Sequence, residues 1–376
     1  MSLLFLGILS LGITSCDNDD DGNVDPDDGQ QVDSGWLIGS IVLGTNGNSF
    51  YLGAFEEIPS TYGTAELEKS TEIGLGTRLQ IFGNNIYSRD ENARTVTKWK
   101  VDRTTLEIVP EAIMSFVASG YSGRKPAVFL SETQAFFQDL VNGYVLEWNP
   151  TTMEITKTHN VTPLDLPPNL DPFSGPFSGE ARGDKIYYPI RYLIQNCCDL
   201  PVVPFAKVAV FDPATSSIEY IEDTRALGGM ANSFMVDEND VIYHRPDRDN
   251  SWMRAFFNVD TSSLPTVLPI LRLNADGRYD ESFKIDLNEV IPDIQSIPQV
   301  QFVLDDKMVF TYSTYKFDAF DDRNQMYNTD FYKTVSLDLN TQNVEPFTPF
   351  DQYNSISLQG KINGSNYFSY TCQEVI

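Results

Sequence analysis

Histidine is nearly missing from this chain: His159 and His244 are the only two among 376 residues. A His-Glu-x-x-His zinc helix is therefore excluded, and a Gly-x-Ser-x-Gly elbow, a Cys-x-x-Cys pair and a glycine-rich phosphate loop are equally absent. No long run of Ala, Leu, Glu and Lys at helical spacing occurs, which argues against a helical bundle. Basic residues are scarce, 26 against 53 acids for a net charge of −27, and this excludes nucleic acid and anionic membrane surfaces as partners. Cysteine is limited to Cys16, the adjacent Cys197 and Cys198, and Cys372. No catalytic constellation emerges, so the chain reads as a non-enzyme without cofactor or protein-bound metal. Paired carboxylates drawn from distant positions would keep glycan hydrolysis or lyase action open.

Aromatic and turn-forming residues are abundant instead: 24 Phe, 18 Tyr, 24 Gly and 21 Pro. At the N-terminus an apolar run, Leu3–Ile13, is too short to span a bilayer, which takes about 20 apolar residues, and reads as a secretory signal core. Ile13-Thr14-Ser15-Cys16 follows, and then Asp17-Asn18-Asp19-Asp20-Asp21-Gly22. A small residue before cysteine resembles the lipobox of bacterial lipoproteins, which implies lipid on the Cys16 thiol and loss of residues 1–15. The acidic run resembles the export signal that sends Bacteroidota lipoproteins to the cell surface. Residues 16–34 are then a solvated tether. Asp17, Asp19, Asp21, Gly22 and Asp28 also match positions of a calcium loop, but such a loop needs a helix on both sides and Pro26 intervenes. Eight aspartates belong to the tether, leaving −19 on the body, residues 35–376.

Lipid on Cys16 leaves three thiols, which cannot all pair within one molecule. Cys197 and Cys198 form a candidate vicinal disulfide; pairing of one with Cys372, or buried free thiols, are the alternatives.

Along the body one pattern returns: a large apolar residue, Asp or Asn, a Thr shortly after, and the start of another strand. It occurs at Asp102, Asn149, Asp212, Asn258 and Asp338. An Asx side chain can accept the backbone N–H two residues on, so each copy predicts a hairpin. Two strands precede several copies, as in Leu79–Phe82 with Asn85–Arg89, Ala127–Leu130 with Ala135–Phe137, and Ser233–Val236 with Val241–His244. Four strands make a propeller blade, and about seven units of about 49 residues fill the body. The expected fold is all-β: a seven-bladed β-propeller of four-stranded blades, with six or eight blades, or two sandwich domains, as alternatives. The largest insertion is expected around Leu271–Ile294, and N-terminal residues are expected to complete the last blade.

The segment from Leu271 to Leu287, with Arg272 in an apolar strand, Gly277 in a turn and Asp280-Glu281-Ser282-Phe283 after it, resembles MxcI-like surface lipoproteins. That resemblance implies a propeller encoded beside TonB-dependent receptors and linked to iron and siderophore uptake. It carries no ligand residues across.

Candidate ligand-binding residues are the cationic and aromatic side chains assigned to loops between second and third strands, or between blades. They are Arg89, Arg94, Tyr121, Arg124, Arg191, Tyr192, Tyr243, Arg245, Arg248, Trp252, Arg254 and Tyr315. Guanidinium and ring faces on one rim of an acidic body suit a planar anion such as a ferric siderophore. The expected function is a lipid-anchored, surface-exposed protein of the outer membrane that passes this ligand to a TonB-dependent receptor. A protein-interaction platform, or a glycan-binding or glycan-cleaving propeller, are the alternatives.

Overall fold

Segments such as Asn85–Asp90, Gln134–Asp139 and Lys185–Arg191 are buried at every interior position, without the in–out alternation of a half-buried strand. The computed structural model explains this: such strands are covered on both faces by neighbouring sheets. It describes residues 5–7, 36–44, 47–56, 69–73, 78–82, 85–102, 104–121, 125–166, 175–176, 179–192, 203–228, 233–246, 268–315, 332–347, 356–362 and 365–370. Cys16, the tether, Arg124, Cys197, Cys198, Arg248, Trp252, Arg254, Asn258 and Cys372 lie outside the described residues.

The first sheet contains β1 (Phe5–Gly7), β2 (Trp36–Gly44), β3 (Gly47–Phe55) and β4 (Thr71–Glu72). A second contains β5 (Arg78–Phe82), β6 (Asn85–Asp90), β7 (Thr95–Val101) and β8 (Ile108–Ser115). The third comprises β9 (Val128–Ser131), β10 (Gln134–Asp139), β11 (Tyr144–Asn149) and β12 (Glu154–Asn160). In the fourth, β13 (Gly175–Pro176) and β14 (Glu180–Arg182) both pair with β15 (Lys185–Arg191), followed by β16 (Ala206–Asp212) and β17 (Ser217–Asp223). The fifth has β18 (Ser233–Val236), β19 (Ile242–Arg245), β20 (Pro269–Leu273) and β21 (Tyr279–Asp286), trailed by one short helix, α1 (Leu287–Val290). A sixth has β22 (Ser296–Leu304), β23 (Lys307–Ser313), β24 (Tyr332–Asp338) and β25 (Val344–Pro346), and the last pairs β26 (Ile356–Ile362) with β27 (Ser365–Tyr370).

Strands pair with their chain neighbours except that β13 skips β14 to reach β15, so the described residues form five four-strand meanders, one five-strand sheet and one two-strand sheet. This is the propeller-type, all-β fold expected from the repeat. Among the described residues no N-terminal strand joins β26 and β27; β1, inside the apolar leader run, pairs with β2 instead.

The chain divides into two compact units. One comprises Met1–Arg124, Pro150–Ile155 and Ser357–Tyr370; the other comprises Lys125–Asn149, Thr156–Ile356 and Thr371–Ile376. In the first unit, Leu52 and Ala54 of β3 pack with Ile86 of β6 and with Ile108. In the second unit, successive sheets meet face to face through three apolar layers. Phe136 and Val145 pack with Ile186 and Phe211, Val208 and Val210 with Ile242 and Leu271, and Ile270 and Ile285 with Phe310 and Leu337. Fully burying one such side chain stabilises by roughly 1.5–3 kcal/mol.

The expected Asx turns form at Asp102, Asp212 and Asp338. Asp102 Oδ1 accepts the Thr104 and Thr105 N–H groups at 2.8 and 3.0 Å, Asp212 those of Ala214 and Thr215 at 2.9 and 3.2 Å, and Asp338 those of Asn340 and Thr341 at 3.0 and 2.7 Å. Each turn closes through a left-handed residue four places on, Leu106, Ser216 and Gln342, with Met153 taking the same place after Asn149. Asp90 builds the same turn with Asn92 and Ala93 and ends on left-handed Arg94, a copy that lacks the threonine of the sequence pattern.

The Leu271–Ile294 segment corrects the expected insertion. It supplies β20, β21 and α1, and the turn of this sheet is Asn274–Arg278, where Gly277 has φ 90. The charged and aromatic side chains of that segment hold the sheet together. The Arg272 guanidinium lies 4.4 Å from the Phe283 ring centroid and donates from Nε to Asp280 at 3.0 Å, while Asp280 also accepts from the Ser282 hydroxyl at 2.6 Å. From the preceding sheet, Arg225 donates to the carbonyl oxygens of Asp280, Glu281 and Phe283 at 3.0, 2.8 and 3.3 Å.

Phe211 is fully buried, with ring neighbours Phe136 at 5.7 Å and His159 at 5.2 Å. Phe211→Ala is expected to lower unfolding free energy by about 3–5 kcal/mol, whereas Phe347→Ala at an exposed site changes it by about 0.5 kcal/mol or less. Urea denaturation of the two variants measures the difference.

Candidate functional site

Second strands and the segments that lead into first strands supply most of the predicted binding residues. β6 and β19 share an Ile-Tyr-x-Arg run, Ile86-Tyr87-Ser88-Arg89 and Ile242-Tyr243-His244-Arg245. The sequence reading put both arginines in loops; they lie inside strands and are buried, at 2% and 6% exposure. The physical reason is the double covering of second strands, which leaves even a long cationic side chain between sheets, its stem among apolar groups. Arg89 Nη2 reaches Glu91 at 3.7 Å.

The aromatic candidates are also core residues. Tyr121 is buried against Phe116 at 5.3 Å, Tyr243 is buried against Phe283 at 5.7 Å, and Tyr192 is fully buried. The Tyr192 hydroxyl has no hydrogen-bond partner among the described residues, and burial raises its phenol pKa. Arg94 is exposed in the β6–β7 turn, and Tyr315 is partly exposed after β23, where its N–H donates to Ser313 Oγ at 3.1 Å. The arginine- and aromatic-rich rim is therefore not assembled from exposed side chains at Arg89, Tyr121, Tyr192, Tyr243 or Arg245. Arg89, Arg94 and Tyr121 belong to one compact unit, and Arg191, Tyr192, Tyr243, Arg245 and Tyr315 to the other.

Within the second unit the fold does gather a charged cluster that the sequence signalled only through Arg191. Lys125 lies three residues before β9, Asp139 ends β10 and Arg191 ends β15; Glu180, at the start of β14, is a separate buried acid. Gly179, beside Glu180, is packed so closely that a Cβ there would meet the Tyr188 ring at 2.4 Å and Val128 at 2.9 Å, which holds the β9 and β14 segments together. Burial and then the Arg191 charge lower the Lys125 ammonium to about 8, with Asp139 acting in the opposite direction. Burial alone raises the Glu180 carboxyl to about 7. Lys125 and Arg191, with Asp139 beside them, are cations within electrostatic reach of each other and can bind an anion.

A second polar group is sealed in the core. His244 is fully buried and stacks at 5.9 Å on Tyr279, with Nδ1 and the Tyr279 hydroxyl 2.8 Å apart. Burial, then Arg245, lowers its imidazole to about 3, against the opposing charge of Asp223, so this ring is neutral at ordinary pH. Among the described residues no three of His, Cys, Asp and Glu gather as metal ligands, and no helix is long and apolar enough to cross a membrane.

No protein-family model matches the chain, and no curated protein matches it either. Among solved structures it is similar to hydrazine synthase from Kuenenia stuttgartiensis, with 11% identity, 72% of this chain and 65% of that chain covered, and a TM-score of 0.43. The chain thus spans less than two thirds of that protein. It is similar also to the β-propeller domain of the Trilobed protease from Pyrococcus furiosus, with 12% identity, 87% and 83% coverage and a TM-score of 0.41. Virginiamycin B lyase from Staphylococcus aureus, solved in a catalytically inactive form with quinupristin, shares 10% identity over 98% and 96%, with a TM-score of 0.44. Likenesses this distant say nothing of the chemistry of this chain.

Because burial raises the folded-state carboxyl of Glu180, its ionisation opposes folding. Stability is expected to fall as pH rises from the ordinary carboxylate range, near 4.5, to about 7, and to level off above that. Glu180→Gln should flatten this slope and unfold at higher urea than the parent at pH 8. Denaturation series at pH 5, 6, 7 and 8 measure it.

Proposed function

We propose that this chain is a surface-anchored binding lipoprotein of the outer membrane whose propeller takes up an anionic small molecule and passes it to a TonB-dependent receptor. The ligand is a ferric siderophore, whose chelator already saturates the iron, so the protein contributes no metal bond. The observation that carries this reading is the pairing of Lys125 with Arg191, two like charges held within electrostatic reach in a chain of net charge −27. Asp139 offsets part of the repulsion between them, and a bound anion adds a further negative charge beside both. The lipobox-like Ser15-Cys16 and the acidic tether support the location, and the resemblance of the Leu271–Leu287 segment to MxcI-like lipoproteins supports the partner.

Titration of the lipidated protein in detergent with ferric catecholate chelates and their iron-free forms tests the binding. The ferric form is expected to bind, and Lys125→Met or Arg191→Met to weaken it by about tenfold or more, the value of one charge-assisted contact. Absence of binding to any ferric chelate would remove the siderophore reading. Cys16→Ala is expected to abolish surface display, scored by protease accessibility on intact cells; undiminished display would remove the anchor.

A further inference from the structure

His159, one of the two histidines, sits at the centre of the best-connected side-chain chain among the described residues. Its imidazole is 1% exposed and lies between Phe136 and Phe211, with ring centroids at 6.1 and 5.2 Å. Nε2 is 2.7 Å from Glu147 Oε2, and Nδ1 is 2.8 Å from the hydroxyl of Ser216. An ionised carboxylate only accepts, so Nε2 carries the hydrogen and Nδ1 offers its lone pair to the Ser216 hydroxyl. Glu147 is fixed in turn, since its other oxygen accepts from Gln134 Nε2 at 3.0 Å. Lys157 Nζ donates to Ser216 Oγ at 3.1 Å. β10, β11 and β12 of one sheet thus converge on the β16–β17 turn of the next, and Gln134, Glu147, Lys157, His159 and Ser216 all belong to one compact unit.

We propose that Ser216 is an activated nucleophile, with His159 as its general base, Glu147 as the positioning residue and Lys157 as the charge facing the developing oxyanion, and that the site cleaves small carboxylic esters. The constellation has the three roles acyl transfer requires: a hydroxyl, a base within hydrogen-bond reach, and a carboxylate that orients the base. A turn of this type does not itself call for these groups. Leu106, Met153 and Gln342 hold the same left-handed position in three other hairpins and carry no nucleophile. Only the copy with a hydroxyl meets a histidine backed by an acid. Ser216 is partly exposed, so a substrate and then water reach its side of the imidazole, while Phe136 and Phe211 cover the ring faces.

In the first step Ser216 Oγ bonds to the ester carbonyl carbon as its proton moves to His159 Nδ1. The carbon–alkoxy bond then breaks, and the departing oxygen takes that proton. Water repeats the sequence on the acyl-serine: its oxygen bonds to the carbonyl carbon, its proton passes through His159, and the serine oxygen leaves with a hydrogen as the acid is released. No oxidant, metal or cofactor enters. Lys157 is exposed, and its ammonium on Ser216 Oγ stands beside the carbonyl carbon that Oγ attacks.

The full-length protein treated with a fluorophosphonate, and separately assayed with 4-nitrophenyl acetate, tests this. One phosphonyl group is expected on Ser216, located by peptide mass spectrometry, with fluoride displaced and no adduct in Ser216→Ala. Labelling should slow by about tenfold to a thousandfold in Glu147→Gln and more in His159→Gln, as loss of general base predicts, and the dependence of its rate on pH should differ between the parent and His159→Gln. A merely structural pin would change stability in these variants without moving the labelling pH profile. Absence of an adduct on Ser216 in folded parent protein overturns the proposal. So does undiminished labelling in Glu147→Gln, which keeps the shape of the side chain should His159→Gln fail to fold.

Discussion

Apolar contact between the faces of successive sheets is what the described parts of this chain depend on. A second strand such as β10 or β19 is covered on both sides, so alternate polar positions have no solvent to face. Each residue there must be apolar, or polar with its needs met inside. This is why Ala135, Phe136, Phe137 and Gln138 are all buried in a row, and why Arg89 and Arg245 are retained between sheets rather than displayed. Fourth strands answer to a weaker constraint, and β8, β12 and β17 alternate or are largely exposed. Face-to-face covering also explains how residues as far apart in sequence as Glu147 and Ser216 come to share one imidazole.

Much of the fold was legible because it rests on local chemistry. The Asx acceptor at Asp102, Asp212 and Asp338 acts within three residues, so a pattern in sequence becomes a hairpin without help from the rest of the chain. The turn at Asp90 was missed because the pattern demanded a threonine that the geometry does not use. The Asn258 copy misled in the opposite way: it suggested an insertion at Leu271–Ile294, where the actual hairpin turns at Asn274 and Gly277.

The candidate sites were far less legible. Arg191 was found by its residue type, but Lys125 and Asp139 gain meaning only when segments distant in sequence are brought side by side. His159 was noticed only as a rarity. Its partners Glu147 and Ser216 lie 12 and 57 residues away and belong to different sheets, so no motif in the chain announces them. Burial was misjudged in the same way. A tyrosine or arginine at the end of a strand looks the same in sequence whether a neighbouring sheet covers it or not.

The hairpin turns have a consequence for how the protein tolerates change. Five of them set a side-chain-bearing residue, Arg94, Leu106, Met153, Ser216 or Gln342, in the left-handed region, with φ between 54 and 59. That conformation costs an ordinary L-residue roughly 1–2 kcal/mol and glycine almost nothing. At Gly143 the β10–β11 turn already carries glycine, with φ 74. The other five are thus a reserve of robustness, each able to drift to glycine or asparagine and gain cohesion without touching a core contact. A lineage under thermal selection would find these positions early, and at Ser216 it would find them closed wherever the hydroxyl is in use.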